Sequence, residues 1–328
     1  MKGKIDFSYS TVVKFFILLL GAWFIYRIRQ LLLILFVSFI IMSALKPVVR
    51  ILEKTRLHRA WSIVVVYVFI WLFIGGILAS IIPPLVTQTG NLIMILPSSL
   101  SKIQLLNLDQ SAVSGQIISL LGSLPENVLN IAGNIFGNII NLITTLVISF
   151  YLLTERDNLD KYLGRWLGER RALEVSALVS RIEARLGTWV RGELILMLTI
   201  GVLCYLGLRI LGVETALPLA LLAGLFEIIP SIGPILSAIP AVIFAFTINP
   251  LVALSTVALY FLVHNLENSF VVPIVMNKAT GVNPLISLLG LLIGFELAGA
   301  VGTVLAIPAI LVIETVGAHY LPPAQQKE

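Results

Sequence analysis

Three glutamates lie inside long apolar stretches of the sequence, where a carboxylate is costly. Glu227, Glu267 and Glu296 have no intramembrane lysine or arginine to pair with, since Arg209 and Lys278 fall near the predicted ends of spans. A charged group at the centre of a membrane helix costs roughly 2.5 to 3.5 kcal/mol on insertion scales. An unpaired carboxylate in low dielectric is expected to hold a proton or a cation. These glutamates therefore suggest coupling to a proton or sodium gradient, and the alternative is that they are protonated structural groups at helix breaks.

Glu227 lies one turn before a break in the apolar segment 217–241. Proline removes a backbone donor and clashes with the preceding turn, so a helix cannot run unchanged through this segment. Interrupted helices survive in a membrane only where protein or a water-filled cavity satisfies the freed backbone groups. In transporters they mark the binding site. The predicted hairpin-break residues of this segment are Pro230, Gly233, Pro234 and Pro240.

A second copy of this element covers residues 283–311. The Pro-Leu pair, an aliphatic-Gly pair and the Ala-Ile-Pro-Ala sequence of the first copy recur in the same order, and Glu296 is a rough counterpart of Glu227. Paired repeats are typical of secondary transporters, although apolar residues also produce similar strings by chance. The predicted hairpin-break residues of the second copy are Pro284, Gly299, Gly302 and Pro308.

The span between the two copies carries four polar side chains within residues 264–268. We expect Asn265, Glu267 and Asn268 to complete a polar site with Glu227 near the middle of the membrane, between the two broken elements. Glu227 or Glu267 would hold the coupling proton or cation. The glycines of the second element would let the backbone approach the substrate or let the hairpins slide.

The composition is that of an integral membrane protein. Of 328 residues, 58% are hydrophobic and 12% charged, and the mean hydropathy is +1.02, values that soluble chains do not reach. The single cysteine and three scattered histidines predict neither a disulfide nor a metal cluster, and no hydrolase or metalloprotease motif is present. We therefore expect no enzyme activity, no cofactor and no metal.

The net charge of +5 comes mostly from two loops beside predicted spans, which indicates membrane topology rather than nucleic-acid binding.

The positions of lysine and arginine predict the topology. The positive-inside rule places the loop after the second span, the charged stretch 155–193 and both termini in the cytoplasm, with Glu193 at the interface beside Arg191. The uncharged helical segment 85–130 then lies outside. The predicted spans are residues 12–26, 31–49, 61–82 (ending at Pro83-Pro84), 131–153, 194–211 and 250–272. One crossing separates the two broken elements, 217–248 and 284–317, so the repeat is expected to be inverted.

The sequence thus predicts an all-α polytopic membrane protein with about eight membrane segments, two of them hairpin-like. We divide the chain into an N-terminal membrane hairpin with its basic loop (1–60), two spans around the outward segment (61–155), cytoplasmic amphipathic helices (156–191), a transport core (192–318) and a cytoplasmic tail (319–328).

Several short motifs carry a resemblance to a known family. They are Glu227-Ile228-Ile229-Pro230 with Ile232-Gly233-Pro234, Leu266-Glu267-Asn268 with Val272-Pro273, Gly281 with Asn283-Pro284, and Gly302 with Ala306-Ile307-Pro308. With them the chain resembles the autoinducer-2 exporter family, the PerM-like bacterial permeases, over nearly its whole length and most strongly over 192–314. The resemblance implies homo-oligomers, pentamers among them, and secondary transport, by autoinducer-2 export or sodium(lithium)/proton antiport. Many members have glutamine where this chain has Glu193.

From residues and resemblance together we expect a secondary transporter in the cytoplasmic membrane that moves a small solute outward, coupled to a proton or sodium gradient. Two alternatives stay open. A sodium(lithium)/proton antiporter would need the carboxylates but no organic solute. In a non-transporting membrane scaffold, neutral replacement of Glu227 and Glu267 would change assembly or nothing.

Overall fold

A computed structural model describes residues 9–100, 139–229, 232–276 and 281–320, and all regular secondary structure in these residues is helical. The helices are α1 (Tyr9–Arg27), α2 (Arg29–Glu53), α3 (Arg59–Leu100), α4 (Ile139–Glu155), α5 (Leu159–Leu167), α6 (Glu169–Ile210), α7 (Ala216–Phe226), α8 (Gly233–Ile248), α9 (Pro250–Leu266), α10 (Val272–Met276) and α11 (Pro284–Tyr320). A 3-10 turn, Arg156–Asn158, precedes α5, and a π-helical segment, Glu267–Val271, joins α9 to α10.

Within the described residues, 5 helical stretches are long and apolar enough to cross a membrane: Arg29–Glu53, Arg59–Ile77, Glu169–Ile210, Pro250–Met276 and Leu285–Tyr320. This confirms the prediction of an all-helical, multi-pass membrane protein. The count of eight segments, the inverted repeat and the orientation of the termini stay predictions. The tail 321–328 and most of the predicted outward segment, 101–130, lie outside the described residues.

Helix α6 is the centre of the molecule, since α2, α5, α7, α9, α10 and α11 all pack against it. It has 42 residues, so it is roughly 63 Å long at 1.5 Å per residue. The sequence predicted an amphipathic helix leading into a span at 194–211, and the two form one continuous helix. No proline interrupts residues 169–210, so the backbone hydrogen bonds continue from the charged half into the apolar half.

The candidate span in α3 is Arg59–Ile77, but the helix itself continues past Pro83-Pro84 to Leu100. A proline removes one backbone hydrogen bond and can bend a membrane helix, but the bonds of the residues around it allow the helix to go on. Part of the predicted outward segment therefore belongs to the same helix as the third span.

The first broken element forms a hairpin of two short helices, α7 and α8, which pack against each other. With 11 and 16 residues they measure roughly 16 and 24 Å, less than the roughly 30 Å hydrocarbon core. The return is tight: a Cβ on Gly233 would overlap the carbonyl of Phe226. Pro234 lies in the first turn of α8, where its missing N–H costs nothing, and Pro240 lies within α8. Pro230 lies outside the described residues.

The second broken element is also a hairpin. Within α11 the backbone leaves the helical region at Ala298 and Gly299, and Gly299 has a φ of 59°, a conformation that favours glycine. The two arms meet where Gly294 and Gly302 touch backbone to backbone, since a Cβ on either would overlap the carbonyl of the other. Gly233 and Gly302 occupy equivalent positions in the sequence repeat, and both therefore allow a close return of the chain. Pro284 opens the first arm and Pro308 lies in the second.

The two hairpins contact different parts of α6. The first packs along its apolar half, α3 and α9, whereas the second packs mainly against its charged half. That second seam is an apolar core of Ile40, Leu186, Trp189, Leu305, Ile307 and Leu311. At its edge, Arg185 donates to Glu314 Oε2 at 2.9 Å and to Thr315 Oγ1 at 3.0 Å. We expected the two hairpins to face each other across one site. Instead, the main contacts of the two hairpins lie on different parts of α6.

A buried ion-pair network joins the charged half of α6 to the neighbouring helices. Glu183 is 3% exposed and pairs with Arg156 and, at 2.5 Å, with Lys46 Nζ. Arg156 Nη2 also donates to Ser180 Oγ at 2.9 Å. Because removing one partner would leave a buried charge uncompensated, this network fixes α2 and the 3-10 turn against α6.

Candidate functional site

Glu227 lies at the end of α7, at the tip of the first hairpin, and is 2% exposed. Its position follows from glycine contacts between α6 and α7. A Cβ on Gly224 would lie 2.6 Å from the Met197 carbonyl oxygen and 3.5 Å from the Cα of Gly201, so the two backbones nearly touch. The helices are antiparallel at this contact, and the next turn of α7 carries Glu227 toward the residues of α6 that precede Met197.

Glu267 opens the π-helical segment after α9 and is 4% exposed. Single π-helical turns inside α-helices are frequent at functional sites, and here the wider turn occurs where the carboxyl group enters the interior. Glu267 Oε2 is buried without a hydrogen-bond partner that meets the usual geometry. Its nearest cation-forming neighbour is His264, with Nδ1 at 3.4 Å.

Glu193 on α6 is the third acid of this site, and the sequence analysis misplaced it. It was expected at the membrane interface beside Arg191, but it is 4% exposed and lies close enough to Glu227 and Glu267 for the charges to interact. We call Glu193, Glu227 and Glu267 the carboxylate cluster. A signal was available in the sequence: Glu193, Leu196, Ile200, Cys204 and Leu208 recur at helical spacing and are all buried.

The carboxylate cluster is enclosed by packed helices. On one side, an apolar core that includes Ile200, Cys204 and Tyr260 fills the space between α6, α7, α8 and α9. On the other, a Cβ on Gly192 would lie 3.1 Å from the Met276 sulfur, so α10 packs tightly against α6. Among the described residues, no lysine or arginine forms an ion pair with any of the three glutamates.

Several predicted site residues do not join the carboxylate cluster. Asn265 is exposed and its Nδ2 donates to the carbonyl of Phe261 at 2.8 Å. Asn268 is exposed and donates to His264. Glu296 is exposed on the first arm of α11. Of the predicted acids, the structure thus brings Glu227 and Glu267 together and leaves Glu296 apart.

The arrangement is suited to a proton or a small cation. Three carboxylates provide oxygen acceptors, and Glu227 lies at the C-terminal, negative end of the α7 dipole. The carbonyls of this last turn accept from the backbone N–H groups of residues 227–229. Half-helix ends of this kind coordinate the coupling ion in many transporters. In the part of the chain that the structure describes, the three acids are not arranged as a group that could hold a metal ion together.

Comparison with known proteins identifies the family of this chain. The sequence model described as AI-2E family transporter matches residues 13–321. Two similar chains come from Bacillus subtilis (strain 168): "Putative transport protein YueF", 28% identical over 89% of this chain and 84% of YueF, and "Putative transport protein YrrI", 28% identical over 95% of this chain and 93% of YrrI. "Putative transport protein YhhT" of Escherichia coli (strain K12) is 36% identical over 35% of this chain and 33% of YhhT. With a match that runs over nearly its entire length, this multi-pass membrane protein belongs to the AI-2E family of transporters.

Proposed function

We propose that the protein is a secondary transporter that moves a small solute out across the cytoplasmic membrane and that the carboxylate cluster couples this movement to a proton or sodium gradient. The observation that carries the proposal is the burial of Glu193, Glu227 and Glu267 beside one another without a lysine or arginine partner in the described residues. Such a group of acids cannot be fully ionised in low dielectric unless it binds a cation. It therefore exchanges protons or cations.

The location of the carboxylate cluster supports a coupling role. Glu227 is carried by a hairpin tip, Glu267 by a π-helical turn and Glu193 by the central helix α6. A shift of the hairpin relative to α6 changes the distances between the acids, and with them the affinity for a proton or cation. Conversely, binding a cation draws the three carboxylates together. Ion binding and hairpin position are thereby linked, as alternating access requires.

A second candidate, sodium(lithium)/proton antiport, is favoured by the side chains that stay outside the carboxylate cluster. Asn265 and Asn268 were expected to complete the polar site, but their amides bond within their own helical segment. The site consists mainly of acids, which suits an ion more than a polar organic molecule. An antiporter would exchange the proton and the sodium ion at the same carboxylates.

Transport by the purified protein in liposomes tests the proposal. Proton flux, sodium flux and uptake of candidate solutes are measured under an imposed gradient for wild type, Glu227→Gln and Glu267→Gln. Glutamine keeps the shape of the side chain and cannot ionise. We expect gradient-driven flux to fall by about tenfold or more in each variant, equivalent to at least about 1.4 kcal/mol. The matched control is Glu214→Gln, an exposed glutamate between α6 and α7.

The outcomes separate the candidates. Solute flux that depends on the gradient supports the exporter, and ion exchange without any solute supports the antiporter. If wild type carries no flux under any gradient, although it is folded and inserted, the transporter proposal fails and the membrane scaffold is favoured.

A further inference from the structure

A groove between α8 and α9 ends beside the carboxylate cluster. Its volume is about 470 Å³, and its walls are apolar side chains such as Ile239, Val257 and Phe261. Its polar side chains are Tyr260 and His264. The groove therefore brings an open space next to an otherwise enclosed group of acids.

His264 connects this groove with Glu267. The imidazole is 33% exposed, whereas the Glu267 side chain is 6% exposed. His264 Nδ1 lies 3.4 Å from Glu267 Oε2, a buried oxygen, and the Glu267 carboxyl group is also within hydrogen-bond reach of Glu227. A small movement of either side chain brings the two atoms into hydrogen-bond contact. One side chain thus touches both the groove and the buried acid.

The neighbouring amide packs on the imidazole. Asn268 Nδ2 lies 3.0 Å from His264 Nε2 and 3.4 Å from Nδ1, and it donates to the His264 carbonyl at 3.1 Å. An amide nitrogen at similar distances from both ring nitrogens lies over the ring, so the in-plane positions of Nδ1 and Nε2 stay open to other partners. Asn268 therefore holds the ring in place without fixing its tautomer.

Few other titratable groups face this contact. Helix α8, which forms the opposite wall, contains none in residues 233–248. Helix α6 brings Glu193 and Cys204, α7 ends with Glu227, and α9 itself contributes Tyr260. All of these are buried. Of the two titratable side chains that line the groove, Tyr260 is buried and His264 is partly exposed.

We infer that His264 is a proton-relay residue that carries protons between the α8–α9 groove and Glu267, an inference that rests on the proposed coupling function. In the inward step the imidazole first takes a proton at Nε2 from a hydronium ion in the groove and becomes an imidazolium, leaving a water molecule. The Nδ1–H bond then breaks, a new O–H bond forms on Glu267 Oε2, and a neutral imidazole that carries its hydrogen at Nε2 remains. The reverse sequence releases a proton from Glu267 to water.

Chemical rescue distinguishes a relay from a structural role. In liposomes, His264→Ala is expected to lower proton flux on the order of a hundredfold, a typical contribution of a positioned acid–base group. Imidazole added to the buffer should enter the vacated space and restore flux in proportion to its concentration. His264→Gln should be equally slow but not rescued, because its side chain fills the space. His319→Ala, at the partly exposed end of α11, is the matched control.

A second readout does not depend on transport. Dicyclohexylcarbodiimide modifies protonated carboxyl groups in apolar surroundings, and mass spectrometry identifies the modified peptide. We expect the pH at which Glu267 is half-maximally modified to shift in His264→Ala and to stay unchanged in His319→Ala. The shift reports the contact between the imidazole and the carboxyl group.

The inference is overturned if His264→Ala carries protons at the wild-type rate, or if its slow flux does not respond to imidazole. If the wild-type protein carries no flux under any gradient, the proposed transport function itself fails. In that case an unshifted pH dependence of Glu267 modification would also show that His264 and Glu267 do not exchange a proton.

Discussion

Glu193 is expected to matter for ion coupling as much as Glu227 and Glu267, because all three belong to one buried group of interacting charges. Replacing Glu193 with glutamine removes one acid and keeps the packing around it. We predict that gradient-driven flux in liposomes falls by about tenfold or more, which corresponds to at least about 1.4 kcal/mol. The ion concentration or pH at half-maximal flux should also change, because the remaining acids lose a negative neighbour.

The matched control for this prediction lies on the same helix. Glu174 is exposed and its closest ion-pair contact is with Arg170 at 3.8 Å, one turn away, a kind of surface pair that contributes little. Glu174→Gln should therefore transport like wild type. Equal flux in Glu193→Gln and Glu174→Gln would exclude Glu193 from the coupling site.

At the scale of single residues, the sequence was informative where the chemistry is local. Glu227 and Glu267 could be singled out because a carboxylate within an apolar run is conspicuous. Glu193 was missed because it lies two positions from Arg191, and proximity in sequence suggested a shared interface. In a helix, two positions correspond to a rotation of about 200°, so Arg191 and Glu193 point in opposite directions. Helical phase would have been the better guide.

The contact between α6 and α7 is the element-scale feature that positions Glu227. Gly224 and Gly201 allow the two helices to approach closely. We predict that Gly224→Ala pushes α7 away from the Met197 carbonyl and lowers stability by roughly 1 to 3 kcal/mol, the usual cost of overpacking. Transport should fall as well, because Glu227 moves away from its neighbours. Thermal unfolding in detergent, followed by tryptophan fluorescence at a fixed scan rate, measures the first effect.

A glycine in open surroundings provides the control. A Cβ on Gly75 of α3 meets nothing within 4 Å, so Gly75→Ala should be neutral or slightly stabilising through its better helix propensity. An unfolding temperature and flux in Gly224→Ala that equal those of wild type would mean that the close approach of α6 and α7 is not needed.

The helix breaks were predictable because proline and glycine act on their own backbone. Both hairpins are present where these residues predicted them, and Gly233 and Gly302 each allow a close return of the chain. The continuation of α3 past Pro83-Pro84 was not predictable by the same rule. Whether a proline ends a helix depends on what satisfies the neighbouring backbone groups, and that depends on tertiary packing rather than on local sequence.

At the scale of the whole molecule, the packing between elements could not be obtained from the sequence. The repeat suggested two hairpins facing one site, whereas the second hairpin packs mainly against the charged half of α6. Its first arm exposes apolar side chains such as Leu285, Leu292 and Leu297, as a surface in contact with lipid or another subunit does. The homo-oligomer that the resemblance implies stays a prediction.

The seam between α6 and the second hairpin is where we expect movement during transport. The Arg185–Glu314 ion pair at the edge of the seam is partly exposed, so this pair can separate at little cost. The apolar core beside it is buried, so the movement we expect is a sliding of the second hairpin along α6. We predict that joining Arg185→Cys to Glu314→Cys with a short, cleavable bis-methanethiosulfonate linker stops gradient-driven flux in liposomes and that a reductant restores it. The native Cys204 is 0% exposed, so the linker should not reach it.

Two comparisons make this last prediction specific. The single-cysteine variants treated with the same linker should keep their flux, because no second thiol is present to hold the hairpin. Linking Arg59→Cys to Asp157→Cys, which form an ion pair between α3 and the 3-10 turn, should also leave transport intact, since neither residue belongs to α11. Full flux in the linked Arg185–Glu314 pair would mean that α6 and the second hairpin move as one body. The change in position would then have to occur at the first hairpin, where Glu227 meets α6.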